Sequence, residues 1–265
     1  MEISAVTDLV ERVAYELVLP RFRDLSEDDV SAKGPGDLVT VVDTAAEDAI
    51  TAGLTAIAPD VPVVGEEATA ADPALLSALP ELERAFLVDP IDGTRAFVEG
   101  APDYAIMVAL VEAGEPVAGW ICLPSRGHTW VAERGSGAWR DGARLTPPAR
   151  PERPRLRIAP SRGHDDVLAE RSAAEGLEVG LGVPLWAGRS YTALADGEVD
   201  ALGYWAGWPW DHAPGTALLR ELGGVVAGVD ASPYRATGLA GPMIAAGSAD
   251  AFDRVRGLML PDPRA

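Results

Sequence analysis

One cysteine, Cys122, and three histidines, His128, His164 and His212, are all that 265 residues offer to a disulfide or a soft metal. A lone cysteine excludes an internal disulfide and fits a reducing compartment, and the scattered histidines make no zinc-ligand spacing. Long apolar runs are also missing. No uninterrupted stretch reaches the roughly 18 residues of a membrane span, and the N-terminus has neither the basic start nor the apolar core of a signal peptide. A cytoplasmic protein without a membrane partner is expected. Basic charge is scarce as well, with 22 Lys and Arg against 41 Asp and Glu and a formal net charge of −19. Without a dense Lys/Arg cluster there is no footprint for a phosphate backbone, so nucleic acid is excluded as a partner. An acidic chain that handles an anion must invert its local field, and bound divalent cations do that; otherwise its carboxylates serve solubility.

What is present is organised in two halves. Val6, Leu9, Val10, Val13, Leu17 and Val18 recur at helical spacing and predict an amphipathic helix that ends near Pro20. Lys33 to Gly36 reads as a mobile loop before a helix from about Asp43 through Leu54, and Val61 to Val64 reads as a short buried strand. A second apolar run, Phe86 to Val88, is expected to stop at Asp89-Pro90. From Tyr104 to Trp139, apolar segments alternate with glycine-bearing turns, the pattern of an antiparallel meander. Pro147 to Pro154 holds four prolines and two arginines and divides the chain into 1–148 and 149–265. Beyond it, strands at Arg155 to Ala159, Val199 to Leu202 and Val225 to Val229 alternate with helices, one of them from Ala213 to Leu222 with Pro214 in its first turn. The fold class is α/β, with an α+β N-terminal half and an α/β C-terminal half.

The residues that carry chemistry are acidic and sit where apolar runs end: Glu66 and Glu67 after Gly65, then Asp89 and Asp92, then Asp211 beside Trp210. Two aspartates three apart around a proline-fixed turn can converge on one point, and the Ile91 carbonyl between them adds a hard oxygen. Oxygen-only ligation selects Mg²⁺, Mn²⁺ or Ca²⁺ over zinc. An isolated Asp-Pro or Asp-Gly pair usually marks only a turn. Here the whole string Asp89 to Thr94 follows an apolar strand, and Gly93-Thr94 brings backbone N–H groups suited to a phosphate.

Gly65-Glu66-Glu67, Asp89-Pro90-Ile91-Asp92-Gly93-Thr94 and Trp210-Asp211 resemble, in that order, the signature segments of the inositol monophosphatase family. Asp37-Leu38-Val39-Thr40 with Asp43 resembles an earlier segment of the family, and Gly223-Gly224 its helix end. The resemblance implies a layered α-β-α-β-α sandwich, usually dimeric, that hydrolyses a small phosphorylated metabolite with Mg²⁺ as cofactor. It implies Glu66, Asp89 and the Ile91 carbonyl as ligands of one ion, with Asp89, Asp92 and Asp211 holding a second. It further implies that Thr94, with Asp43 or Glu66, orients and deprotonates the attacking water, and that Gly93, Thr94 and Asp211 contact substrate.

The chain departs from the family pattern at Trp186 to Ser190, and Tyr204 stands where inositol-specific members carry a glutamate that touches ring hydroxyls. Sugar, polyol, amino-alcohol, histidinol, fructose-bisphosphate and nucleotide 3′-phosphate substrates all stay open, as does a non-catalytic metal-binding homologue. Trp205, Trp208 and Trp210 either wall the pocket or fill the core. His212 is either a proton donor or a packing residue, the latter favoured, and Arg95 and Arg189 either meet the substrate or form surface ion pairs.

Overall fold

The computed structural model describes residues 2–34, 37–149, 151, 154–159, 165–180 and 186–260. Its helices are α1 (Ile3–Val13), α2 (Val41–Ile57), α3 (Glu66–Ala71), α4 (Ala74–Ala78), α5 (Thr94–Val98), α6 (Asp165–Ala174), α7 (Ala187–Ala195), α8 (Pro209–Glu221) and α9 (Ala249–Met259). A hairpin of β1 (Val30–Gly34) and β2 (Asp37–Thr40) precedes α2. Seven strands follow in one sheet: β3 (Val63–Gly65), β4 (Arg84–Asp92), β5 (Ala105–Glu112), β6 (Glu115–Leu123), β7 (His128–Glu133), β8 (Gly137–Arg140) and β9 (Ala143–Arg144). They lie side by side in chain order, with β3 and β4 parallel and the rest antiparallel. The second sheet holds β10 (Arg155–Ile158), β11 (Glu178–Gly180), β12 (Ala201–Tyr204), β13 (Val225–Gly228) and β14 (Met243–Ala246), in the order β11-β10-β12-β14-β13.

The layers follow from which faces are apolar. Strands β4 to β6 are buried almost throughout because both faces of the first sheet are covered, so they read as apolar runs rather than alternations. Phe86, Val88, Ile106, Val108 and Trp120 face α1 and α2, whereas Leu87, Met107, Ala109 and Ile121 face α7 and α8. Helices α6 and α9 cover the far face of the second sheet through Leu168, Phe252, Val255 and Met259. The result is the expected α-β-α-β-α sandwich.

Four local expectations fail. Leu17 is exposed rather than buried, because a π-helical turn over Ala14–Val18 widens the spiral and rotates that side chain outward. β4 does not stop at Asp89-Pro90 but runs to Asp92 with a register shift between the aspartates. By Pro90 its partner β3 has ended, so the proline's missing N–H lies on an unpaired side. Helix α8 begins at Pro209, which occupies the first turn and leaves Pro214 inside the helix. Lys33 and Gly34, expected in a loop, belong to β1; residues 35–36 lie outside the described residues.

Candidate active site

The end of β4 is shaped by its own side chains. The Asp89 carboxylate accepts a hydrogen bond from the Ile91 amide at 3.0 Å, which folds the chain back and leaves both Asp89 and Asp92 buried. Gly93 then adopts φ +81°; a Cβ there would stand 3.1 Å from the Asp103 carbonyl and from the Trp186 ring, so only glycine fits. Thr94 follows as the first residue of α5. Its hydroxyl can donate to Asp43 Oδ1 at 3.1 Å or to the Ile91 carbonyl at 3.0 Å. Asp43 is itself held by a capping box, accepting from the Thr40 amide and hydroxyl at the start of α2.

Residues distant in sequence complete the site. Asp92 accepts from the Ala187 and Gly188 amides at 3.0 and 2.8 Å, so the first turn of α7 is tied to the end of β4. Asp211, in the first turn of α8, lies against Asp89 and the Trp208 amide. Glu66 opens α3, where Lys33 Nζ reaches it at 2.7 Å and Glu67 at 2.8 Å. The buried carboxylate of Glu47 accepts from the Glu67 and Ala68 amides, each at 2.8 Å, and so fixes the start of that helix. Gly65 makes room for it: a Cβ there would sit 2.3 Å from Glu47 Cδ.

All the expected site residues except Asp43 line one cavity of about 390 Å³; Asp43 stands directly behind Thr94. The electrostatics reflect this crowding. Burial, then repulsion from Glu66, Asp92 and Asp211, pushes the Asp89 carboxyl well above the usual range. Burial, then Asp92 and Glu66, does the same to Asp211. Asp92 is pushed up to about 7 by burial, against the opposing pull of the Gly188 and Ala187 amides. Such mutually repelling carboxylates gain from a hard cation, and the set of carboxylates with the Ile91 carbonyl is oxygen-only. The donor chemistry therefore fits Mg²⁺. Among the described residues no three acidic, histidine or cysteine side chains stand pre-closed around an ion position. Glu66 is instead engaged by Lys33.

The weaker candidates resolve by their contacts. His212 is buried, its Nδ1 lies 3.1 Å from the Tyr191 hydroxyl, and burial lowers its pKa to about 3. It therefore packs as a neutral ring. Arg189 pairs with Glu198 and Asp103; Arg95 lines the cavity and lies 3.9 Å from Glu99. The three tryptophans divide: Trp205 donates to the Ala159 carbonyl at 2.9 Å, whereas Trp208 and Trp210 line the cavity. Lys33 and Glu47 escaped the sequence reading as site residues, and Trp186 to Gly188 entered it only as a departure from the family pattern. Of the first two, only Glu47 left a trace there, as a carboxylate one turn beyond Asp43 on the apolar face of α2.

The profile of the inositol monophosphatase family matches residues 2–255. An inositol-1-monophosphatase of Mesorhizobium japonicum is 32% identical over 249 residues, covering 86% of each chain. A 3′(2′),5′-bisphosphate nucleotidase of Shigella flexneri is 35% identical over 140 residues, 52% of this chain and 54% of that one. Among solved structures, a Thermotoga maritima IMPase superposes with a TM-score of 0.78 at 26% identity, covering 95% of this chain and 93% of that one. Fold, motif order and these likenesses agree, and the chain belongs to the inositol monophosphatase family as a phosphatase.

Proposed function

We propose that the chain hydrolyses a small phosphate monoester with Mg²⁺ held by Glu66, Asp89, the Ile91 carbonyl, Asp92 and Asp211. The observation that carries this reading is the meeting of all these groups on one cavity wall, drawn from β4, α3 and α8. Bound Mg²⁺ would supply Lewis acidity and offset charge on the phosphoryl group. The chain's own residues do the positioning. Thr94, with Asp43 behind it at 3.1 Å, orients the attacking water and gives its proton a carboxylate to reach. The Gly93 and Thr94 amides steady the phosphate from below. Asp92 is locked between two amides, which keeps one ligand from drifting as charge builds up.

A cytoplasmic homodimer belongs to the same reading, as does a division into 1–148 and 149–265. The division is supported by the first sheet ending at Arg144 and the second starting at Arg155. The test is phosphate release from a panel of monoesters with Mg²⁺ present or chelated, run beside Asp92→Asn. Activity should fall at least a hundredfold with either change. Full turnover in chelator would refute the metal assignment, and full turnover by Asp92→Asn would refute its ligand set.

A further inference from the structure

The cavity lining also contains aromatic side chains. Trp208 and Trp210 stack with ring centroids 5.4 Å apart and planes at 10°. Trp210 is buried at 3% exposure, while Trp208 keeps 43% and lines the cavity. The backbone on either side of Trp208 is held in place. Gly207 is bridged to Ala240 by two backbone hydrogen bonds of 3.2 and 2.9 Å, and Pro209 restricts the backbone of Trp208 to an extended conformation. Gly207 also has no substitute, since a Cβ there would lie 1.8 Å from His212 Nε2. Trp186 adds a further ring, and Ala159 and Ala206 leave space between them.

The polar inventory of the lining is short. Apart from Thr94, Tyr204, His212 and the four acids of the proposed metal site, the described lining has no Asn, Gln, Ser or Lys, and Arg95 is the one permanent cation among those described residues. The Tyr204 hydroxyl has less than 1 Å² of exposed surface and, although Ser190 lies beside it, no well-formed hydrogen bond. A polyol would find few partners for its hydroxyls here, and each group left unpaired costs affinity. A flat ring, in contrast, can extend the existing tryptophan stack through its apolar face.

We infer that the alcohol half of the substrate carries a planar heteroaromatic ring that stacks on Trp208. The inference rests on the phosphatase reading and narrows its substrate class. It is tested on the Mg²⁺-loaded enzyme with adenosine 3′-monophosphate, histidinol phosphate, myo-inositol 1-phosphate and fructose 1,6-bisphosphate. At least one of the two ring-bearing esters should exceed both ring-free ones by tenfold or more in kcat/KM, and which one does so tells a nucleobase from an imidazole. Trp208→Ala should shrink that ratio by about tenfold or more through KM, the loss expected from one stacked ring, and Trp208→Phe should restore most of it. Independently of variants, the ring-bearing alcohol product should saturably quench the tryptophan fluorescence of the native enzyme. Comparable kcat/KM for all four esters, a ratio untouched in Trp208→Ala, or no quenching would overturn the inference while leaving the phosphatase reading intact. Failure to release phosphate from any monoester would instead defeat the reading beneath it.

Discussion

Glu47→Gln isolates how a buried acid outside the cavity controls one inside it. Each Glu47 oxygen accepts one amide of α3, at 2.8 Å from Glu67 and 2.8 Å from Ala68. In the glutamine one acceptor becomes an NH₂ pointing at an N–H, so one bond is lost and a buried donor is stranded, a cost of about 1–3 kcal/mol. The surviving bond loses its charge assistance, about another 1 kcal/mol. Part of this is returned, because burial and the neighbouring Glu66 charge already disfavour an ionised Glu47. The net expectation is a loss of about 1–3 kcal/mol. At about 2–4 °C per kcal/mol in a chain of this size, thermal unfolding followed by circular dichroism should shift down by about 2–12 °C. Activity should suffer more than stability. Glu66 is the first residue of the helix that Glu47 pins, and a displacement of about 1 Å at a reacting centre costs up to about a hundredfold. Asp48→Asn, on the exposed side of α2, serves as control and should stay within about 0.5 kcal/mol of the parent. If Glu47→Gln melts with the parent and binds Mg²⁺ as tightly, the cap does not position Glu66 and the reasoning fails.

Three further outcomes follow from the same coordinates. Gly188→Ala would place a Cβ 2.4 Å from Ala105 Cβ and 3.2 Å from Asp92 Oδ2, so it should cost about 1–3 kcal/mol and weaken Mg²⁺ binding in calorimetry. Gly257→Ala, with open space around it on the exposed face of α9, should be neutral or stabilising; equal melting of the two variants would contradict the clash. Lys33→Gln removes the ammonium that engages Glu66 and Glu67, and Mg²⁺ affinity should rise about fivefold, the equivalent of an ion pair worth about 1 kcal/mol; unchanged or weaker binding would show that Lys33 does not compete with the cation. Cys122 is fully buried, and burial pushes its thiol up to about 12, so a thiol reagent at pH 8 should label the native protein negligibly and the unfolded chain with one equivalent.

How much of this could be read in advance depended on the range of the interaction. The stretch Asp89 to Thr94 was legible because its geometry is local: a carboxylate bonded two residues on, a glycine at positive φ, then a helix start. Glu66 and Asp211 were legible by residue type, since an acid at the close of an apolar run has little structural reason to be there. The meander was legible because its turns are glycine-marked. Prolines misled in both places where tertiary context decided their effect. Pro90 continues a strand because β3 ends beside it, and Pro214 sits within α8 because Pro209 starts that helix earlier.

The supports of the site were illegible for a different reason. The Ala187 and Gly188 amides that hold Asp92 lie 95 and 96 residues away and are backbone groups, which carry no residue signature at all. Glu47 acts 20 and 21 residues away on two more amides. In both cases an acidic side chain is satisfied by main-chain donors at the start of a helix, once with the acid inside the cavity and once with the acid behind it. Five carboxylates can be crowded together only if something other than their mutual charge fixes them, and in this chain amides at the N-termini of α7 and α3 do so before any cation arrives. The proposed ligands Asp92 and Glu66 are therefore placed by secondary structure rather than by the ion. It follows that chelation should abolish phosphate release while leaving the circular dichroism spectrum and most of the melting temperature unchanged. A chain that unfolded on losing its metal would show instead that the ion builds the site.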